Sequence, residues 1–298
     1  MQLNGVEIDD SFAEAFPMKA VRVVVTAATP AWALIAARSM TGFATSVIAC
    51  GCEAAIERAL SPDETPDGRP GVAILMFAMS TKDLAKQVRN RVGQCVLTCV
   101  TTACFAGTEG ENRIPLGDGL RYFGDGFQIA KRLGQTRYWR VPVMEGEFVC
   151  QDTVGVVQGI GGGNFLMLAT DVTSARAAAE AAVAAIEPVA DVILPFPGGI
   201  VRSGSKVGSK YKGLVASTND AYCPTLRGQT ETALPESVGA VLEIVIDGLS
   251  EGAIEQATAV GIRAACALGR ERGVVAIHAG NYGGKLGPHH FHLHRVLG

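Results

Sequence analysis

Short apolar segments in this chain follow the order strand, helix, strand, strand, helix, strand, and they do so twice. That repetition limits the fold more than any other feature of the sequence. In the first half, Val21–Thr26 (VRVVVT) is short and β-branched and predicts a strand. Pro30 opens Ala31–Met40, whose composition predicts a helix. Thr45–Cys50 predicts a second strand, and Gly71–Ala78 a third after the turn-rich SPDETPDGRPG. Thr81 predicts the cap of a helix reaching about Arg91, with Asp83 in its first turn, and Gln94–Thr101 predicts the last strand. In the second half the strands are Asn164–Ala169, Asp191–Pro195, Val241–Ile246 and Val274–His278. The helices are an alanine-rich segment capped by Ser174 that ends before Pro188, and Ser250–Leu268. Between the halves, Leu120–Gly159 reads as a β-meander. The expected fold is α+β, with a split βαβ lobe over 1–147 and another over 148–298.

Composition narrows the function classes. A chain of 298 residues suits two cores, and 48% hydrophobic with 18% charged residues fits buried cores rather than disorder. The net charge is -3 and no Lys/Arg cluster stands out, which excludes a sequence-independent nucleic-acid footprint. The apolar runs Val72–Met79 and Ala175–Ile186 fall short of the roughly 20 residues that span a bilayer, so no membrane role is expected. The polar, acidic start MQLNGVEIDDSFAEAF is unlike a signal peptide and predicts a cytoplasmic protein. The eight cysteines include no C-x-x-C and no zinc-site interval, so they read as small buried thiols in a reducing compartment.

Several familiar motifs fail on inspection. GIGGGN (Gly159–Asn164) lacks the last glycine of a dinucleotide loop and precedes a strand rather than a helix. GSKVGSK (Gly204–Lys210) and GNYGGKL (Gly280–Leu286) do not match a phosphate-binding P-loop, so no nucleotide is expected. His290, His292 and His294 would share one face of a strand and could hold zinc, or could be the polar face of a terminal strand. The expectation is no metal.

Chemistry can sit in two places. In AVLEIVIDG, Glu243, Val245 and Asp247 share one strand face and Leu242, Ile244 and Ile246 the other. If Glu243 is buried its pKa rises towards neutrality, which suits a general acid/base; if it faces water it is ordinary. The segment Pro197–Thr225 is long for a connector and carries Arg202, Ser205, Lys206, Ser209, Lys210 and Lys212, then Asn219, Asp220 and Tyr222. Hydroxyls, cations and free backbone N–H groups suit acidic ligands. Lys285, after Gly283 and Gly284, adds a cation beside permissive backbone. With no nucleophile elbow and no marked cysteine, direct transfer between two bound carriers fits better than a covalent acyl-enzyme.

Eleven strings, in order from residue 4 to residue 294, carry a resemblance to a known family. They are NGVEIDDSFAEAF, ETPDGRPG, VGQCV, YFGDGF, VPVMEGEF, GGNF, PFPGGIV with SKVGSK, ASTNDAYCPT, EIVIDGL, AGNYGGKLG and HLH. Together they resemble formylmethanofuran–tetrahydromethanopterin formyltransferase. The resemblance implies two ferredoxin-like lobes, in accord with the repeated order. It implies a homo-oligomer, commonly a tetramer, with active sites near subunit contacts and no metal or nucleotide. It places the family's catalytic glutamate at Glu243.

The implied chemistry is amide exchange between two one-carbon carriers, tetrahydromethanopterin and methanofuran. A neutral amine attacks the formyl carbon, the tetrahedral oxyanion needs donors, and a proton must pass from the attacking to the departing nitrogen. Glu243 suits the proton. Backbone N–H groups of the glycine-rich strings and the Asn219 amide suit the oxyanion, and Lys206, Lys210 and Lys285 suit acidic carrier tails. The near-neutral charge is closer to the homologue of methylotrophic bacteria, a subunit of a formyltransferase/hydrolase complex that runs towards formylmethanofuran and formate release. A non-catalytic pterin-binding or scaffold subunit, and a metal hydrolase built on the terminal histidines, are the rival readings.

Overall fold

A computed structural model describes residues 1–280 and 285–298, and in it the two repeats build two units of mixed α+β architecture. One unit is Met18–Gly159; the other joins Met1–Pro17 to Ile160–Gly298. The first seventeen residues therefore belong with the second half of the chain, although they precede the first.

In the Met18–Gly159 unit the strand order is Glu53–Leu60, Gly71–Ala78, Phe12–Thr26, Ala103–Ala106, each neighbour antiparallel to the next. Gly146–Gln151 then adds parallel to Ala103–Ala106 and begins an antiparallel meander with Thr136–Val143 and Ile129–Leu133. Helices Pro30–Thr41 and Thr81–Arg91 cover one face. Ala33, Ala36, Ala37, Met40, Leu84 and Val88 bury against Val21, Val23, Val25, Ile74 and Met76.

The other unit repeats the plan. Its order is Val192–Ile193, Ala240–Gly248, Val157–Ala169, Val274–His278, again all antiparallel, and Val6–Ile8 adds parallel to Val274–His278. Helices Val172–Ile186 and Glu251–Ala267 press small residues such as Ala178, Ala182, Ala257 and Ala265 onto Phe165, Met167, Ile244 and Ile246. The opposite sheet face is covered too. Leu234, Val238 and Tyr222, from the long connection between Ile193 and Ala240, pack over Leu166, Leu168 and Val241. No helix among the described residues is long and apolar enough to cross a membrane.

Several expected elements move. Thr45–Cys50 is not a strand: Ser46 caps a helical turn, Val47–Cys50, which Gly51 ends at φ 74°. The strand is Glu53–Leu60 (EAAIERAL), a helix-forming composition overridden by its pairing with Gly71–Ala78. Gln94–Thr101 is not a strand either. The helix continues through a π-turn at Val92–Val96, and the strand starts at Ala103. The caps are Ser80 and Asp171, each upstream of the residue expected, because their side chains accept the N–H groups of Asp83 and Ser174. The strand expected over Asp191–Pro195 is only Val192–Ile193. The eight cysteines are all free.

Phe165 is fully buried between the sheet and both helices. Phe165→Ala should lower stability by about 3–5 kcal/mol, read as a lower midpoint in urea denaturation followed by far-UV circular dichroism.

Candidate active site

Strand alternation puts Glu243 on the sheet face away from the helices, and there it is 6% exposed. Its neighbours explain how a carboxyl is tolerated at that depth. Its backbone N–H donates to the Val201 carbonyl at 2.9 Å, and the Val201 N–H donates back to its carbonyl at 2.8 Å. The loop after Phe196 is thereby stitched onto the strand. Asn164, 4% exposed on the central strand, donates from Nδ2 to Glu243 Oε1 at 2.6 Å. Its Oδ1 accepts the backbone N–H of Gly280 at 3.0 Å. Burial pushes the Glu243 carboxyl up to about 7, against a smaller downward pull from the Asn164 hydrogen bond. The alternative of a water-facing glutamate does not hold.

Two glycines are required here for different reasons. A Cβ at Gly280 would lie 2.2 Å from Asn164 Nδ2, so only glycine lets the backbone reach the amide. Gly204 has φ +27°, and a Cβ there would stand 4.0 Å from Glu243 Oε2 and 3.9 Å from the Asn219 Cβ. The Gly204 carbonyl accepts from the Asn219 N–H at 2.9 Å, which ties Asn219 to the glycine next to Oε2.

The long connection folds as a small hairpin, Ser205–Val207 against Ala216–Thr218, followed by a short turn over Asp220–Tyr222. Ser205 pairs with Thr218 in register. Lys206 donates to Asp220 at 2.5 Å, and that hydrogen bond holds the Asp220 carboxyl below its usual range. Lys206 thus has a partner within the chain. Ser209 accepts the Tyr211 N–H at 3.1 Å near the hairpin tip, while Lys210 and Lys285 are exposed. Gly283 and Gly284 lie outside the described residues.

Sequence reasoning assigned no role to Asn164, Gly280, His278 or Asp9. Leu166 is the register partner of both Glu243 and His278, so His278 shares the face at two strand spacings, about 10 Å. The Tyr222 hydroxyl lies 3.0 Å from the His278 ring nitrogens, and Asp9 Oδ2 lies 3.3 Å from Nε2. Burial, with the Asp9 charge added, pushes Tyr222 up to about 12. Spacing could have suggested His278, since it ends a predicted strand; nothing local marks Asp9.

The terminal histidines do not share one face. The strand ends at His292 and a helix begins at Leu293, so His294 turns to the Ile8 carbonyl at 2.8 Å. His290 and His292 pack on Phe12, with ring centroids at 4.8 and 4.9 Å. Among the described residues no three metal-ligating side chains converge.

Comparison with known proteins agrees over the whole length. Residues 1–143 match the family model for formylmethanofuran-tetrahydromethanopterin formyltransferase, and residues 146–296 match the model of its proximal lobe. A formylmethanofuran–tetrahydromethanopterin formyltransferase from Methylococcus capsulatus is 63% identical, with both chains fully covered. A chain in the crystal structure of the formyltransferase/hydrolase complex of Methylorubrum extorquens with methylofuran is 55% identical. It superposes with a TM-score of 0.97 over 100% of this chain and 99% of that one. The Methanosarcina barkeri formyltransferase gives 48% identity and a TM-score of 0.94, over 99% and 100%.

Because the folded carboxyl of Glu243 ionises near 7 and the ordinary group near 4.5, its contribution to stability is complete below about 4.5 and is lost as pH rises through about 7. Gln in its place can still accept from Asn164. Glu243→Gln should therefore match wild-type stability near about pH 4 and exceed it by roughly 3 kcal/mol near about pH 8. Thermal or urea unfolding across that range checks the sign.

Proposed function

The chain belongs to the formylmethanofuran–tetrahydromethanopterin formyltransferase family, and from that premise we propose how its residues move a formyl group between N5 of tetrahydromethanopterin and the primary amine of methanofuran. The observation that carries the assignment of roles is Glu243: a buried carboxyl, held in one orientation, that changes protonation near neutral pH. Such a group takes and returns a proton with little driving force lost in either direction.

In the reaction the attacking nitrogen bonds to the formyl carbon, and the bond to the departing nitrogen breaks. Ionised Glu243 removes the proton that the attacking nitrogen sheds, and the resulting acid gives it to the nitrogen that leaves. The proton count balances with no net change in the enzyme. Asn219 is bonded through its backbone to Gly204, which lies next to Oε2, and its amide is the donor we assign to the tetrahedral oxyanion. Ser205, Ser209 and Tyr222 supply hydroxyls along the hairpin and turn. The Lys206–Asp220 pair braces that hairpin, and Lys206, Lys210 and Lys285 attract acidic carrier tails. Holding both carriers together supplies much of the rate. The carriers are co-substrates, and no metal or nucleotide enters this scheme.

Several finer features belong to the same reading. Each unit is a ferredoxin-like lobe, supported by the all-antiparallel order 2-3-1-4 of its core strands. The chain works in the cytoplasm as a homo-oligomer, a tetramer, and with hydrolase subunits; the Methylorubrum extorquens relative sits in such a complex. Exposed apolar side chains such as Trp32, Ile35 and Phe43 are surface an assembly would cover. In a methylotroph one-carbon pathway the net direction is towards the formylated furan carrier, whose formyl group a hydrolase releases as formate.

Purified chain, alone and with hydrolase subunits, should transfer formyl from 5-formyl-tetrahydromethanopterin to the furan carrier, and Glu243→Gln should lower the rate by about 100-fold or more while remaining folded. Full activity in that variant would remove Glu243 from the chemistry. Lys210→Met and Lys285→Met should raise KM for the carriers several-fold with kcat little changed, and the effect should shrink at high salt.

A further inference from the structure

We propose that Asn164, locked by the backbone N–H of Gly280, is the positioning residue that directs the exchanged proton to Oε2 of Glu243. The inference rests on the reading of Glu243 as the proton carrier and names the oxygen it uses.

A backbone N–H can only donate, so the Asn164 atom that meets Gly280 at 3.0 Å is the acceptor Oδ1. The amide is thereby fixed against a flip, and Nδ2, which has hydrogens and no lone pair to offer, faces Glu243 Oε1 at 2.6 Å. Oε1 must accept in both protonation states. When Glu243 is neutral, the better acceptor of its two oxygens is the carbonyl oxygen, so the carbonyl is Oε1 and the hydroxyl is Oε2. Oε2 looks towards Gly204, which presents no side chain, with Asn219 alongside. The Gly204 side is the approach by which a carrier nitrogen would reach the proton.

Other charges share this face and frame any pH dependence. Asp247 lies further along the same strand, and its Oδ1 accepts the Gly162 N–H at 3.2 Å. The buried Glu14 carboxyl, on the Phe12–Thr26 strand, accepts the Leu286 N–H at Oε2 at 2.8 Å. His278 with Asp9 lies across Leu166, Tyr222 covers His278, and the covering loop brings Arg202 and the Lys206–Asp220 pair. The hydrogen bonds of the Asn164 amide run to Glu243 and Gly280. Removing that amide should act on Glu243 itself.

The test is the pH dependence of kcat/KM for formyl transfer, measured on the assembled enzyme for wild type, Asn164→Leu, Gly280→Ala and Glu243→Gln. Losing a hydrogen bond to an ionised carboxylate should move the Glu243 limb upward by about one pH unit or more in Asn164→Leu. Gly280→Ala, whose Cβ would displace the amide, should move it the same way, and the double variant should go no further than the larger single shift. Gly280→Ala keeps the inference testable if Asn164→Leu does not fold. A limb that disappears in Glu243→Gln yet stays in place in folded Asn164 and Gly280 variants overturns this inference alone. A limb that survives in Glu243→Gln overturns it together with the proton-carrier reading beneath it.

Discussion

The hydrogen bond from Asn164 to Glu243 is the contact on which the candidate active site depends. A carboxyl inside a sheet must be hydrogen-bonded or neutral, because an isolated ion loses its hydration there. One donor is enough to hold the group but not enough to keep it fully ionised, and the result is a carboxyl poised near 7. That balance requires the sheet face to be closed. The covering is the connection between Ile193 and Ala240, stitched to Glu243 through Val201. The length of that connection follows from its work: it seals a polar centre and leaves a glycine at the one oxygen that must stay open.

The other unit shows how local this solution is. Gly71–Ala78 holds the same place in its sheet as Ala240–Gly248 does in the second, beside the long central strand. Its sequence, GVAILMFA, is apolar throughout, and every residue is buried. The plan is the same, yet nothing there titrates. The architecture supplies rigid neighbouring strands, and the substitution of a glutamate and an asparagine on adjacent strands supplies the chemistry.

Charge in the covering loop is less free than its composition suggests. Arg202, Lys206, Lys210 and Lys212 read as one cationic stretch, but Lys206 is bound to Asp220 within the same hairpin. The pair also braces the segment bearing Asn219 and Tyr222. Tyr222 then reaches His278, so the turn 219–222 runs from Gly204, to which Asn219 is bonded, to the Asp9–His278 pair.

The sequence by itself determined the repeated strand and helix order, the period-2 placement of Glu243 and the existence of a long polar connection before its strand. Each depends on local pattern: β-branched runs, caps, and a lone carboxylate among apolar neighbours. The second strand lies later than expected, in EAAIERAL, whose helix-forming composition is outweighed by its antiparallel ladder with Gly71–Ala78, bulged between Ile56 and Arg58. Tertiary structure alone decided the rest. That Met1–Pro17 joins the second half, that Asn164 meets Glu243 across 79 residues, and that Gly280 meets Asn164 across 116 are long-range pairings. An asparagine in a GGNF string carries no mark of its partner. Only register between strands, set by packing both sheet faces, brings an amide to a carboxyl and fixes which oxygen remains free.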